Sequence, residues 1–369
     1  MKIIHAADIH LGSKIESKFS LEMTLKRRKE ILDTFSRMVS FAKENDVKVI
    51  LLAGDVFDKD KPAIKDKEFF YKTVKNNPEI DFLYLKGNHD IEGSYEETSI
   101  PNLKTFSSGD ITSYSYGNID IGGIEMVNEN YRSFYSKIML NKERINIFLL
   151  HGDDSNTFGL NKIRIDSLAN KGIDYLALGH YHSYKEGKID GRGRYAFSGC
   201  LEGRGFDECG EKGFILLDVD KEVKSTFIPF SRRTIHEVNV DLTGSNDLVD
   251  SKSKVDLSIK DIDKDDILLI NLVGNLPVNA EITADDIKVY LENRFFFAYV
   301  KNKTNSLIRL EDYINDKSLI GEFVRGVYAS EEYDEETKQK ILSTGIKLIT
   351  KREVERWNYY LSILSILVI

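Results

Sequence analysis

At 369 residues, with 41% apolar and 30% charged side chains, the chain has material for two folded units and falls outside the disordered and fibrous classes. Two cysteines, Cys200 and Cys209, exclude a disulfide framework. The net charge of −8 excludes a broadly basic nucleic-acid surface, though bound cations could still make one site locally positive.

In chain order, "KIIHAA" reads as a buried strand at the N-terminus and not as a signal peptide. The stretch 20–45 spaces Leu21, Leu25, Leu32, Phe35 and Val39 on one helical face, with Ser20 as N-cap and charges such as Lys26 and Glu30 outside. "VKVILLAG" is a strand, "IKDKEFFYKTVKNN" a helix stopped at Pro78, and "DFLYLKG" a further strand. Residues 110–128 form a hairpin, "INIFLLHG" a strand, "NKIRIDSLANKG" a helix closed by Gly172, and "DYLALGH" a strand. Residues 184–230 alternate with glycine-rich turns, as antiparallel strands do. The alternation predicts an α/β fold with a sheet covered by helices.

The strand ends carry the chemistry. Asp8 and His10 follow the first strand, Asp55 the second, Asn88 and His89 the third, His151 a later one, and His180 and His182 the last. Carboxyl ends of strands are where open α/β sheets gather ligands. Taken singly, Asp8 or Asn88 could cap a helix and His151 could sit in a turn. Together they form a set of oxygen and nitrogen donors without cysteine, which argues against a closed structural zinc site. Such a set fits two catalytic cations about 3.5–4 Å apart.

The series D-I-H, G-D-V-F-D, G-N-H-D, H-G and G-H-Y-H resembles the signature of the calcineurin-like metallophosphoesterases over roughly residues 1–231. The resemblance implies a two-sheet sandwich flanked by helices. It also implies that Asp8, His10, Asp55 and His182 hold one divalent cation, and that Asp55, Asn88, His151 and His180 hold the other. His89 would face the scissile phosphate and protonate the leaving oxygen or steady developing charge, and Asp90 would orient His89 or cap the following turn.

"YAFSGCLEGRGFDECGEKGFILLDVD" at 195–220 resembles the SbcD-type DNA repair exonucleases, the YhaO-like branch above all. Cys209 stands where that pattern has Thr, and Asp58 where some archaeal relatives carry His. The resemblance implies a DNA nuclease that uses two manganese ions per protomer, with magnesium as the alternative to manganese. It would act in break repair as a homodimer with an SbcC-like coiled-coil ATPase. The competing readings are a small-substrate phosphodiesterase on the same scaffold and a metal-binding scaffold that does not cut.

The SbcD-type resemblance implies that residues 232–303 form a small α/β domain capping the DNA, a generic accessory domain being the alternative, and "KNKTNS" (301–306) reads as a linker. The helices of 304–369 are expected to carry the ATPase contact. Leu319, Phe323 and Val327 share one face, and Ile341, Leu342, Gly345 and Leu348 another. Val354, Trp357, Leu361, Leu364 and Val368 follow with a heptad-like step. Self-packing of these helices is the alternative. No run in the chain reaches the ~20 apolar residues of a membrane span, so a cytoplasmic protein without membrane contact is expected. Arg192, Arg194 and Arg204, in glycine-rich turns, are candidate DNA-phosphate contacts. Lys59, Lys61, Lys65 and Lys67 read as a solvated basic stretch.

Overall fold

A computed structural model describes residues 1–58, 62–90, 100–155, 157–245, 247–277 and 282–349. Lys59, Lys61 and the heptad-like series from Val354 to Val368 lie outside these residues. The chain divides into two units, Met1–Ile235 and His236–Ile369, four residues past the expected boundary at 231. No helix among the described residues is long and apolar enough to cross a membrane.

In the first unit the strands and helices follow in this order: β1 (Lys2–Ala6), α1 (Leu21–Glu44), β2 (Val47–Ala53), α2 (Ile64–Lys75), β3 (Asp81–Leu85) and β4 (Leu103–Thr105). Then come β5 (Thr112–Tyr116), β6 (Ile119–Gly123), the one-turn α3 (Phe134–Lys137), β7 (Ile145–His151) and β8 (Tyr175–Gly179). The unit ends with β9 (Lys185–Lys188), β10 (Arg194–Phe197), β11 (Gly213–Val219) and β12 (Val223–Pro229).

These strands build two six-stranded sheets, β12-β11-β1-β2-β3-β4 and β5-β6-β7-β8-β10-β9. Ile3, Val49, Leu51 and Leu83 of one sheet meet Ile121, Ile147, Leu149 and Ala177 of the other in a shared core. The alternate residues Ile4, Ile50, Leu52 and Phe82 face α1 and α2. A strand buried on both faces has no polar side, which is why "VILLA" reads as an unbroken apolar run.

Helix α1 keeps its Ser20 cap, whose Oγ accepts from Met23 N at 3.2 Å. Its buried face differs from the expected one. Leu21 and Leu25 are 76% and 57% exposed, whereas Arg27 and Glu30 are buried. The cause is a tertiary ion network. Arg27 pairs with Glu30 and with Glu202, Arg233 pairs with Glu30, and Thr34 Oγ1 donates to Glu202 at 2.8 Å. The network ties α1 to the glycine-rich segment that contains Glu202.

The expected helix at 161–172 is a single 3₁₀ turn, Ile165–Leu168. Asn161 and Asn170 have left-handed backbones (φ 60° and 62°), and Ile163 N donates to Asp153 O at 2.7 Å instead of to its own turn.

The second unit begins with β13 (Ile235–Asp241), α4 (Leu248–Ile259), β14 (Ile267–Val273), β15 (Asn275–Pro277), α5 (Ala284–Leu291), β16 (Phe297–Asn302) and β17 (Asn305–Leu307). The expected linker at 301–306 is therefore the end of β16 and most of β17, and β17 pairs in parallel with β15. A 3₁₀ turn (Leu310–Tyr313) leads into α6 (Leu319–Ala329) and α7 (Glu335–Ile349). Val324, Leu342 and Ile346 pack with Ile308, and Phe323 and Val327 lie against them. Gly345 exists for this contact, because a Cβ there would run into the Phe323 ring. These two helices bury most of their apolar faces on each other, the alternative to an open partner surface, while Leu319 of the expected face stays exposed.

Candidate metal centre

The parallel strands β1, β2 and β3 end at one edge of their sheet, and β7 and β8 end together in the other. The expected donors leave these five ends. Asp8, His10, Asp55 and His180 all have positive φ (50°, 51°, 53° and 115°). Non-glycine residues rarely adopt that backbone, and it concentrates at functional sites where the surroundings hold it in place. Each strand thus stops and turns its polar side chain back across the sheet edge. Two glycines make room for the result. A Cβ on Gly54 would strike the His151 ring, and one on Gly87 would strike the Asp55 carboxylate.

The side chains converge from both sheets. Asn88 Oδ1 lies 3.0 Å from His151 Nε2 and 3.2 Å from His180 Nδ1. Asp55 Oδ2 stands 3.4 Å from His151 Nε2 and 3.9 Å from His10 Nε2. His180 N donates to both oxygens of Asp8, at 3.1 and 2.9 Å. Asp8, His10 and His182 offer ligand atoms within 4.8 Å of one another, and so do Asp8, Asp55 and His151. Asp8 is common to these two groups, while Asp55, the bridge implied by the resemblance, reaches a histidine on each side. Every one of the seven donors is brought to this edge.

The electrostatics fit a pair of cations. Burial pushes the Asp8 carboxyl up to about 6, with Asp55 adding to the rise and His151 opposing it. Burial also resists charge on Asp55, but His151, His10 and the His89 amide outweigh it and hold Asp55 well below the carboxylate range. For His151, burial opposes the imidazolium, yet Asp55 and Asp8 lift it to about 9.

The sharpest test is the contact between His10 Nε2 and His182 Nε2 at 3.2 Å. His182 Nδ1 lies 2.7 Å from the Glu208 carboxylate, an acceptor, so Nδ1 carries the proton. His10 Nδ1 stands 3.1 Å from Asp58 Oδ1, a short contact that is not an aligned hydrogen bond. Neutral His182 therefore turns its Nε2 lone pair toward His10 Nε2, where it can accept a proton from His10 or bind a cation.

His89 is half-buried at the mouth of the centre. Its amide donates to Asp55 Oδ1 at 2.9 Å, and its Nδ1 is 3.3 Å from the Asp58 carbonyl oxygen. With His10 and Asp58 it forms a third group of possible ligands. Among the described residues the bonds found for Asp90 are those of a loop brace and none goes to the His89 ring, while the turn it could otherwise cap lies outside them. Its carboxylate accepts from Val56 N (3.2 Å), Phe57 N (2.9 Å) and Gly87 N (3.1 Å), locking the Asp55 loop to the Asn88–His89 loop.

Of the three candidate DNA-contact arginines, Arg192 and Arg194 lie away from the ligand edge and Arg204 lies at it. β10 runs parallel to β8 with Arg194 level with Tyr175, so Arg192 and Arg194 lie near the start of the strand that His180 follows. At ~3.3 Å per residue that is roughly 16 Å from the ligand edge. Arg192 is also engaged by Asp174 at 2.8 Å and by the Lys142 carbonyl at 2.7 Å. Arg204 does reach the centre, but as a mostly buried side chain paired with Asp58 (3.1 Å) and Glu208. Glu208 and its pairing escaped the sequence reading, although "GRGFDECGEKG" contained it.

Residues 1–194 match the profile of the family described as calcineurin-like phosphoesterase. The chain belongs to that family. As a calcineurin-like phosphoesterase it is a metal-dependent hydrolase, and the two-sheet sandwich agrees with the fold expected from its motifs. The chain is 24% identical over 378 residues to the DNA double-strand break repair protein Mre11 of Sulfolobus acidocaldarius, covering 92% of this chain and 93% of that protein. It is 27% identical over 264 residues to Mre11 of Sulfurisphaera tokodaii, covering 65% and 63%. It is 30% identical over 237 residues to the uncharacterized metallophosphoesterase YhaO of Bacillus subtilis, covering 59% and 57%.

Proposed function

We propose that this phosphoesterase is a DNA nuclease that holds two divalent cations, manganese by preference, and works as a homodimer with an SbcC-like ATPase. The observation that carries the reading is the convergence of seven donors beside a half-buried histidine, in a chain alignable along 92% of its length with an Mre11 protein. Asp8, His10, Asp55 and His182 are assigned to one cation, and Asp55, Asn88, His151 and His180 to the other. When bound, such a pair polarises a phosphoryl oxygen and supplies a nucleophile from water at neutral pH.

The protein's own groups do the rest. Asp90 fixes the loop that presents His89, and the Asp58 carbonyl steadies the ring from its Nδ1 side. In the doubly protonated ring Nδ1–H stays on that carbonyl, Nε2–H is the proton given to the leaving oxygen, and the ring is left neutral. Because α6 and α7 pack together, the ATPase contact is assigned to their outer surface and to the apolar series that includes Trp357.

End-labelled duplex DNA incubated with the purified chain and manganese, magnesium or EDTA tests the proposal. Cleavage with manganese and none with EDTA is expected. Turnover of a chromogenic phosphodiester with no attack on DNA would instead indicate a small-substrate enzyme, and bound metal without either activity would indicate a scaffold.

A further inference from the structure

The two halves of the centre are held in different ways. His151 is oriented by the backbone, its Nδ1 donating to the Ala53 carbonyl at 2.9 Å. On the other side His182 is oriented by a carboxylate, Glu208 at 2.7 Å from its Nδ1, and a second carboxylate, Asp58, stands 3.1 Å from His10 Nδ1. One arginine joins those carboxylates. Arg204 Nη1 lies 3.1 Å from Asp58 Oδ1, while its Nε sits 3.1 and 3.2 Å from the two Glu208 oxygens and its Nη2 also meets Glu208. The Arg204 amide donates to Glu208 Oε2 at 2.6 Å, so backbone and side chain grip the same carboxylate. Arg204 Nη2 also stands 3.1 Å from His182 Nδ1, but the shorter carboxylate contact decides that this nitrogen carries the proton.

We propose that Asp58, Arg204 and Glu208 form a positioning clasp that sets the affinity of one metal position, the one served by Asp8, His10 and His182, independently of the other. This rests on reading those three residues as ligands. The physical case is that an imidazole binds metal through one nitrogen only when the other is held protonated and the ring is aimed. Such outer partners are worth about 10–100-fold in metal affinity. The His182 ring depends on Glu208 in this way, and Glu208 and the Asp58 carboxylate beside His10 would repel each other across the site without the guanidinium between them. The clasp is supplied by a segment distant in sequence, and the Glu202 network anchors that segment to α1: Arg27 Nη2 reaches Glu202 Oε2 at 2.8 Å and the Gly203 carbonyl at 2.8 Å.

The test is manganese titration of metal-free full-length protein by calorimetry, with the wild type binding two ions per protomer. Arg204→Ala and Glu208→Ala should each weaken one ion about 10–100-fold and leave the second unchanged. Glu208→Gln, which keeps shape and an acceptor, should fall between them and the wild type, and it covers the case in which the alanine variants do not fold. In metal-free protein labelled with ¹⁵N-histidine, His182 should carry its proton on Nδ1 and lose that preference in Glu208→Ala. Equal weakening of both ions, unchanged binding of both, or an unchanged His182 tautomer would overturn the proposal. A wild type that binds no metal would instead remove the ligand assignment beneath it.

Discussion

His89 donates through its amide to Asp55, but its ring stays outside the two groups of ligand atoms built on Asp8. Replacing it with Asn should leave metal content unchanged and lower the rate by about 10²–10⁴, the usual contribution of a general acid. Elemental analysis alongside turnover of a chromogenic phosphodiester checks both halves, and loss of metal in this variant would place His89 among the ligands.

His5 is a different kind of histidine, wholly enclosed between the sheets. Its Nδ1 accepts from the Tyr175 hydroxyl at 2.9 Å and its Nε2 donates to the Leu178 carbonyl at 3.2 Å. Burial drives its pKa down to about 3, from an unfolded value of 6.5. Because the folded value is the lower one, this stability is present above about pH 6.5 and is lost as pH falls toward 3. The loss amounts to about 1.4 kcal/mol per pH unit. Urea midpoints between pH 6.5 and 4.5 should fall more steeply for the wild type than for His5→Gln, and equal slopes would refute the assignment.

Among the elements, α1 shows how a tertiary partner can override a pattern. Apolar spacing alone made Leu21 and Leu25 the buried face, yet the helix turns Arg27 inward because Glu30 and Glu202 are there to receive it. Removing one member of a fully buried ion pair strands the others without compensation. Arg27→Ala should therefore cost about 3–5 kcal/mol, read from denaturant unfolding. A cost under 1 kcal/mol would mean that the network is dispensable. The segment at 161–172 fails as a helix for a similar reason, since the Ile163 amide and the Asn161 carbonyl bond to the Asp153 backbone across the loop. "KNKTNS" reads as a linker because polar composition cannot reveal that Asn305 is paired with Asn275.

At the scale of the molecule, each unit has a core of its own. Val240, Leu268, Ile270, Ile287 and Leu291 belong to the second, and every proposed ligand belongs to the first. A fragment ending at Ile235 should remain folded and bind both cations with wild-type stoichiometry. Aggregation of that fragment, or binding of fewer ions, would show that the second unit completes the first. The Trp357 segment should be needed for capture of a co-expressed ATPase, and a chain ending at Ile349 that still captures it would move the contact elsewhere.

The sequence by itself determined most strands of the first unit, their succession along the chain and the seven donors that follow them. A strand buried on both faces must be written in apolar residues, and a donor set for hard or borderline cations in Asp, Asn and His, so both are visible in one dimension. Tertiary structure decided which nitrogen of each histidine faces the centre, that Asp90 braces a loop, and that Arg204 grips Glu208 while Arg192 and Arg194 lie at the far edge. Those outcomes depend on parallel pairing and on partners more than a hundred residues apart, such as Asp58 with Arg204. Charge and hydrogen bonding at that range have no period in the sequence, only a position in space.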